Sequence, residues 1–514
     1  MFPVNLADKL GLKFALTQPL GKRKEYGIYL TPPALARFMT ERLDLNSRTM
    51  RILDPAAGAG ILLCAVVERI VNERLPVESV VLEAYEIIPE MFDVLCNSLG
   101  YLVVWASDHG LTVSLDVHRS DFLSHETLDK AVDVAIANPP YAKIRKADDV
   151  INGLLGKGHI HPNLYTAFMT HSSHRLKSSG ELVFVTPRSY SSGVQFRRFR
   201  EEFFGDVDVK SVHTFDSRSQ PFLRDGVLQE TVILWGSKTN PAPFPRDQSL
   251  TISHSKGTDD ILTSNIWNTT QDKLFDVRGT RKNLRLPSSF EDEQLMIILD
   301  SLPETVESLG FTVSTGPVVP FRINGALRDD DSDERAVPLI WMRNLVKEHV
   351  VWPIPKDRKQ FLLRDCDTQS LLLPNQDYVF IPRWSSKDQD RRLFASFYAS
   401  GEFGFKFIGI ENHVNYVCFP GVGALRQSIK GLQWIMNSVV MDRYMRSING
   451  TTQVGALDVR MMPMPSMDIV DRWGVVAGCG SHTNDDLSEL ILEYLMSLNE
   501  NPRRKCLDNC SRPE

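Results

Sequence analysis

The run Ala137-Asn138-Pro139-Pro140-Tyr141 follows directly on the apolar segment 132–137, VDVAIA. Two successive prolines continue neither a strand nor a helix, because each lacks a backbone N–H and fixes φ. They hold a rigid, extended turn, and after a buried strand that turn lies at the edge of a parallel sheet where ligands bind. Asn138 sets a carbonyl acceptor there, the proline carbonyls add others, and Tyr141 offers a flat ring. The set suits one task, which is to accept hydrogen bonds from a planar amino group while a ring stacks beside it.

Three further motifs precede it. Asp54-Pro-Ala-Ala-Gly-Ala-Gly60 lies between an apolar run, RILD, and a helical pattern. Gly58 and Gly60 allow a tight turn and a close approach of backbone to a ligand. The turn lacks the Lys-Ser/Thr of a phosphate-gripping loop and the third glycine of a dinucleotide site, which points to a nucleoside ligand without pyrophosphate. Glu86 ends the second apolar run, where a carboxylate can accept from ribose hydroxyls; Glu83, three residues earlier, is the competing candidate. Ser120-Asp121-Phe122 follows the third run, and a carboxylate beside an aromatic can hold an adenine by its amino group and its face.

The elements that must position these residues are legible in the apolar periodicity. Short apolar runs at 51–54, 80–85, 113–117, 132–137, 181–186, 210–215 and 229–235 alternate with helical segments 59–73, 87–99, 163–177 and 194–204, with a loop near 122–130. Continuous apolar strands alternating with helices predict a parallel sheet covered on both faces. The short loop SRSQPFLRDG between the last two runs predicts a hairpin and an antiparallel final strand. Thr31 reads as a helix N-cap ahead of Pro32 and Pro33, with Leu35, Phe38, Met39 and Leu43 on one face. Residues 241–290, opening with a Pro-rich polar stretch, read as a linker or boundary, 291–499 as a mixed second domain with a helix near 485–499, and 500–514 as a polar tail.

Composition bounds the function. The chain has 514 residues, 42% hydrophobic and 24% charged, which is ordinary globular usage for roughly two to four domains. No apolar run reaches about 18 residues, so no membrane span is expected, and the N-terminus carries no secretory leader pattern. Seven scattered cysteines fit reduced thiols and a cytoplasmic location. A net charge of −6 argues against a generally basic DNA coat. It leaves room for local basic patches at Lys22–Lys24, Lys143–Lys146, Arg197–Arg200 and Arg391–Arg392.

Asp54–Gly60 followed by Asn138–Tyr141 resembles the amino-group methyltransferases that use S-adenosyl-L-methionine. With the early segment Gly27–Pro33, the order resembles the gamma-class DNA adenine-N6 methyltransferases of type II restriction–modification systems. The likeness covers residues 20–240 and extends more loosely to Tyr378–Arg392, Glu411–Tyr416 and Thr451–Pro465, which look like target-recognition segments. It implies an α/β fold, with a seven-stranded, mostly parallel Rossmann-like catalytic domain over 1–240 and a mixed C-terminal target-recognition domain.

The resemblance also implies roles. Tyr29 and Thr31 contact the methionine part of the cofactor, and Asp54, Ala56 and Gly58 line that pocket. Glu86 binds the ribose, and Asp121 with Phe122 the cofactor adenine. Asn138 and the carbonyl of Pro139 hold the target amino group, Pro140 keeps the turn, and Tyr141 and Phe222 stack on either side of a flipped base. No metal is implied. The family often has cysteine where this chain has Ala57. The partners are double-stranded DNA and, since only about 25 residues precede the first motif, a separate endonuclease against which the methyl mark protects host DNA. The alternative is an amino- or amide-group methyltransferase acting on RNA or on protein glutamine.

Overall fold

A computed structural model describes residues 1–19, 29–124, 131–144, 161–218, 220–225, 229–239, 248–276, 282–385, 388–401, 403–419, 426–478 and 484–500. Lys22–Lys24, Arg145, Lys146 and the tail beyond 500 lie outside them. The chain divides into two compact units, Met1–Ser289 and Phe290–Glu514.

The first unit opens with helices α1 (Pro3–Thr17) and α2 (Pro33–Thr40). There follow β1 (Thr49–Asp54), α3 (Ile61–Asn72), β2 (Ser79–Tyr85), α4 (Pro89–Asp108), β3 (Thr112–His118), β4 (Val132–Ala137) and α5 (Leu164–Arg175). Then come β5 (Leu176–Pro187), α6 (Arg197–Asp206), β6 (Val207–Phe215), β7 (Thr231–Lys238), β8 (Ser249–Ser255) and β9 (Asn265–Thr270). Among the described residues these strands form one sheet in the order β3-β2-β1-β4-β5-β7-β6-β8-β9. The strands β3, β2, β1, β4 and β5 are parallel, and β7 runs antiparallel between β5 and β6, as the hairpin loop predicts.

Side chains alternate across this sheet with period two, which is why the strands read as continuous apolar runs. Ile52, Leu82, Ile136, Val183 and Val185 join one core with α2, α3 and α4. Leu53, Ala135, Ala137, Leu182 and Phe184 join a second with α5 and α6. Both faces of the central strands are therefore dry, and it is their ends that are left to bind a ligand.

Three local expectations change. The seven expected strands are β1–β7, but the sheet continues: β8 pairs parallel with β6, and β9 closes the edge antiparallel to β8. Those strands come from within 241–290, the segment expected as a linker, where the alternating LTISHS pattern is short and mostly polar. The compact unit accordingly runs to Ser289. Thr31 is not the cap of α2: Pro32 takes the N-cap position without a side-chain cap, and the Thr31 hydroxyl is used elsewhere. Leu35, Phe38, Met39 and Leu43 are all buried, as their spacing requires.

The second unit is mixed. One six-stranded sheet includes Thr312–Thr315, Val414–Cys418 and Tyr378–Pro382, and a five-stranded sheet includes Ala336–Ile340, Phe361–Leu363 and Phe407–Ile410. Helices Arg426–Met436, Val439–Ile448, Met467–Gly478 and Asn484–Glu500 pack on the six-stranded sheet and share one core with its Val313, Val379, Ile381 and Val417. Gly431 and Gly474 sit where two of these helices cross, and a Cβ on either would lie 1.9 Å from a carbonyl oxygen of the other helix. No helix among the described residues is long and apolar enough to cross a membrane.

Candidate active site

Four adjacent strands deliver the motif residues to one edge. Asp54 ends β1, Glu86 follows β2, Asp121 follows β3 and Asn138 follows β4, and the parallel register aligns those ends. Glu83 is turned elsewhere. It is buried and bound by Arg51, by Arg175 at 2.8 Å and by the Tyr85 hydroxyl at 3.0 Å, so it locks the sheet.

The Asn138 side chain is oriented by its neighbours. Its Nδ2 donates to the Tyr29 carbonyl at 3.0 Å and to Thr31 Oγ1 at 3.1 Å. Both amide protons are thereby used, which fixes Oδ1 as the acceptor on the opposite side. Oδ1 accepts from the Tyr141 hydroxyl at 3.0 Å, and that hydroxyl also lies 3.3 Å from the Val185 carbonyl. Burial holds the Tyr141 phenol well above its usual pKa, so it stays a neutral donor. A donor arriving at Oδ1 meets an acceptor already aimed, and the Tyr141 hydroxyl has Val185 as its second partner.

Beside this turn lie two contiguous cavities that share Tyr29, Leu30, Ala56, Gly58 and Asn138. The first reaches Thr31 and Asp54; the second, the larger of the two, reaches Glu86, Asp121 and Phe122. The glycine turn shapes the wall between them. Gly58 and Gly60 have φ of +53° and +82°, and a Cβ on Gly58 would enter open space while one on Gly60 would press on Leu95 at 2.9 Å. Glu86 Oε2 accepts from Gly58 N at 3.1 Å and Oε1 from Ile88 N at 2.8 Å, and the Ile87 N–H also bears on this carboxylate, so backbone donors hold it in place at the cavity wall. Asp121 Oδ1 accepts from Leu123 N at 2.9 Å, and Phe122 is buried against Tyr85 and Phe168.

Asp54 is the unusual group. It is 1% exposed, its Oδ1 accepts from Ala56 N at 3.1 Å, and its Oδ2 is buried without a hydrogen-bond partner. Burial, reinforced by the Glu86 charge, lifts its pKa to about 8. Glu86 is raised by burial too. An orphaned carboxylate oxygen facing a cavity suits a positively charged ligand. S-adenosyl-L-methionine, a nucleoside carrying two cationic centres and no phosphate, fits this donor set.

Other expectations meet a different outcome. Phe222 is 2% exposed and packs in the core, its ring edge-on to Tyr141 at 6.2 Å between centroids. The turn that carries it is tied to α1 by the Arg224–Asp8 ion pair at 2.7 Å. Two of the basic patches are partly structural. Arg200 is fully buried on the Phe199–Phe203 face of α6 and donates to the carbonyls of Tyr190 and Gly193. Arg392 is buried against Asn449. Neither is available to a phosphate. The sequence reading missed α1, whose Ala7, Asp8 and Gly11 line the first cavity. The signal was present in Val4, Ala7, Phe14 and Ala15, which fall on one buried face.

Residues 110–222 match the family described as Eco57I restriction-modification methylase. The chain is 30% identical over 483 residues to Type II methyltransferase M.PstI of Providencia stuartii, across 92% of this chain and 93% of that protein. It is 31% identical over 462 residues to Type II methyltransferase M.BsuBI of Bacillus subtilis, across 88% and 90% of the two chains. Among solved structures, a DrdV–DNA complex aligns with a TM-score of 0.49 at 12% identity, over 90% of this chain and 58% of that one.

Proposed function

This chain belongs to the Type II methyltransferases of restriction–modification systems, and from that premise we propose that it methylates N6 of an adenine flipped out of a short duplex recognition sequence. It is a DNA methyltransferase, and S-adenosyl-L-methionine is the donor, supplying an electrophilic methyl group on a sulfonium. In this reading the mark protects host DNA from a separate cognate endonuclease.

The observation that carries the adenine reading is the Asn138 amide, with its two protons spent on Tyr29 and Thr31 and its oxygen presented as an acceptor. An adenine amino group is a poor nucleophile because its lone pair is delocalised into the ring. Asn138 Oδ1 and the Pro139 carbonyl draw its two N–H groups toward tetrahedral geometry and localise that pair. The stabilisation grows toward the transition state, as catalysis requires. Tyr141 and Phe222 stack on the ring, Asp54 faces the cationic end of the donor, Glu86 its ribose, and Asp121 with Phe122 its adenine, while Tyr29 and Thr31 close the methionine end. The proton leaves after transfer, so no strong base is needed.

The test is sequencing of plasmid from a methylation-free host expressing the chain. Modified adenines confined to one short motif are expected, and Asn138→Ala should lose about a hundredfold or more in rate while still binding the donor. A variant with full activity removes the mechanism. A soluble, donor-binding wild-type protein that modifies no DNA moves the substrate to RNA or to a protein amide.

A further inference from the structure

The second unit carries an open groove of about 850 Å3 between the turns that hold Phe321, Trp341–Arg343 and Glu411–His413. Phe321 is 80% exposed, and the neighbouring Trp384, its ring 6.0 Å from that of His413, is 44% exposed. Isolated exposed aromatics are ordinary, but aromatics gathered around one concavity mark a binding surface.

The polar groups in this groove are held in advance. Both oxygens of the buried Glu411 are used on His413, one on its Nδ1 and the other on its backbone N–H at 3.0 Å. The imidazole, half-exposed, is thus fixed in orientation, and Nε2 is its remaining hydrogen-bonding atom. The turn beneath it is fastened by Glu411 N to Ile340 O, Asn412 N to Val318 O and Arg383 N to His413 O. The Arg343 guanidinium lies 4.3 Å over the Trp341 ring and pairs with Asp357. The adjoining turn 356–359, KDRK, meets both residues through the carbonyls of Lys359 and Arg358. It exposes Lys356, Arg358 and Lys359, with Asp357 engaged by Arg343 and with Asp329, the first residue of the exposed acidic run Asp329–Asp331, accepting from the Lys359 N–H. The cations seated on the aromatic rings of the groove, Arg322 on Phe321 and Arg343 on Trp341, with Lys356 and Arg358 beside them, match a polyanion that also presents flat, hydrogen-bonding edges.

We propose that this groove is where the second unit meets the base edges of a DNA duplex. His413 determines sequence, Phe321 makes the apolar contact, and the 356–359 turn lies on the phosphates. The proposal rests on the DNA-methylating reading and adds to it the surface that selects the site.

The experiment uses the full chain with S-adenosyl-L-methionine and a fluorescent duplex bearing the sequence that wild-type protein methylates, titrated across salt concentrations. Phe321→Ala should weaken binding to that duplex about tenfold or more with the salt slope unchanged. Lys356→Gln with Arg358→Gln should weaken every duplex and lower the salt slope by about one per charge removed. His413→Gln should relax one position of the methylated motif on plasmid sequencing; Phe321 is so exposed that its variant separates recognition from folding. Wild-type affinity in Phe321→Ala with an unchanged motif in His413→Gln overturns the groove assignment and leaves the methylation reading intact. A wild-type protein that neither binds nor methylates DNA overturns both, and a change in self-association in place of DNA affinity assigns the groove to a second copy of the chain.

Discussion

Replacing Asp54 by asparagine isolates the cost of holding a carboxylate in the cavity. The folded protein keeps a proton on Asp54 up to a pH of about 8, whereas the unfolded chain releases it near 3.8. Between those values the native state binds one proton more than the unfolded state. Stability from this group therefore falls as pH rises, by about 1.4 kcal/mol per unit, with the penalty absent below the unfolded pKa and complete above the folded one. Asparagine does not titrate and retains Oδ1 as acceptor for Ala56 N. The stability of Asp54→Asn relative to wild type should therefore grow by about 3 kcal/mol between about pH 5.5 and about pH 7.5. Urea unfolding read by pulsed labelling of Cys64, buried in α3, reports the first unit alone. A cationic donor held at Asp54 favours the ionised form, so saturating S-adenosyl-L-methionine should flatten the wild-type slope and leave the variant's unchanged. Parallel curves for the two proteins without the donor would refute the argument, because they would mean that Asp54 is ionised in the folded state throughout.

Three other perturbations follow from the same geometry. Thr31→Val removes one of the two acceptors that fix the Asn138 amide, at about 1 kcal/mol, so single-turnover rate at saturating donor should fall about fivefold. Thr31→Ser should restore it, and a change confined to donor affinity would limit Thr31 to the cofactor. Phe222→Ala should reduce the fluorescence gain of 2-aminopurine at the target position while donor affinity holds, and an unchanged signal would remove its stacking role. Gly431→Ala should destabilise the second unit by more than about 2 kcal/mol in urea unfolding, since its Cβ would lie 1.9 Å from the Val470 carbonyl oxygen; a neutral result would mean the two helices part freely.

The site edge was legible because strand ends are set by local rules. Apolar runs located β1–β7, and the residues at or just beyond the ends of β1–β4 are where a parallel sheet places ligand groups. The choice of Glu86 over Glu83 followed from position along the strand, and the Glu83 ion pairs explain why the earlier residue is not free. What escaped was long-range. That Thr31 bonds Asn138, 107 residues away, instead of capping α2 is a tertiary fact with no local signature. Arg200 read as a surface charge because a basic run looks solvated, yet its guanidinium satisfies carbonyls of the irregular turn before α6. The strands β8 and β9 carry mostly polar residues, SLTISHS and NIWNTT, so no apolar run marked them, although each is as long as the strands at the centre of the sheet.

The Phe222 geometry bears on how a flipped base is captured. Two rings that sandwich a third must stand about 7–8 Å apart and parallel, at van der Waals distance on both sides. Here Tyr141 and Phe222 stand 6.2 Å apart and meet at 79°, so the two rings fill the slot with each other. Base entry on the proposed reading exchanges that contact, of about 0.5–1.5 kcal/mol, for stacking of about 1–3 kcal/mol on the incoming ring. The exchange runs in favour of the base but by a small margin. It offsets only part of the few kcal/mol that unstacking from a duplex costs, and contacts elsewhere along the DNA must supply the rest. On that reading a base outside the recognition sequence lacks those contacts and finds a slot already closed, so an aromatic pair that gripped the target would also discriminate against bases presented without them.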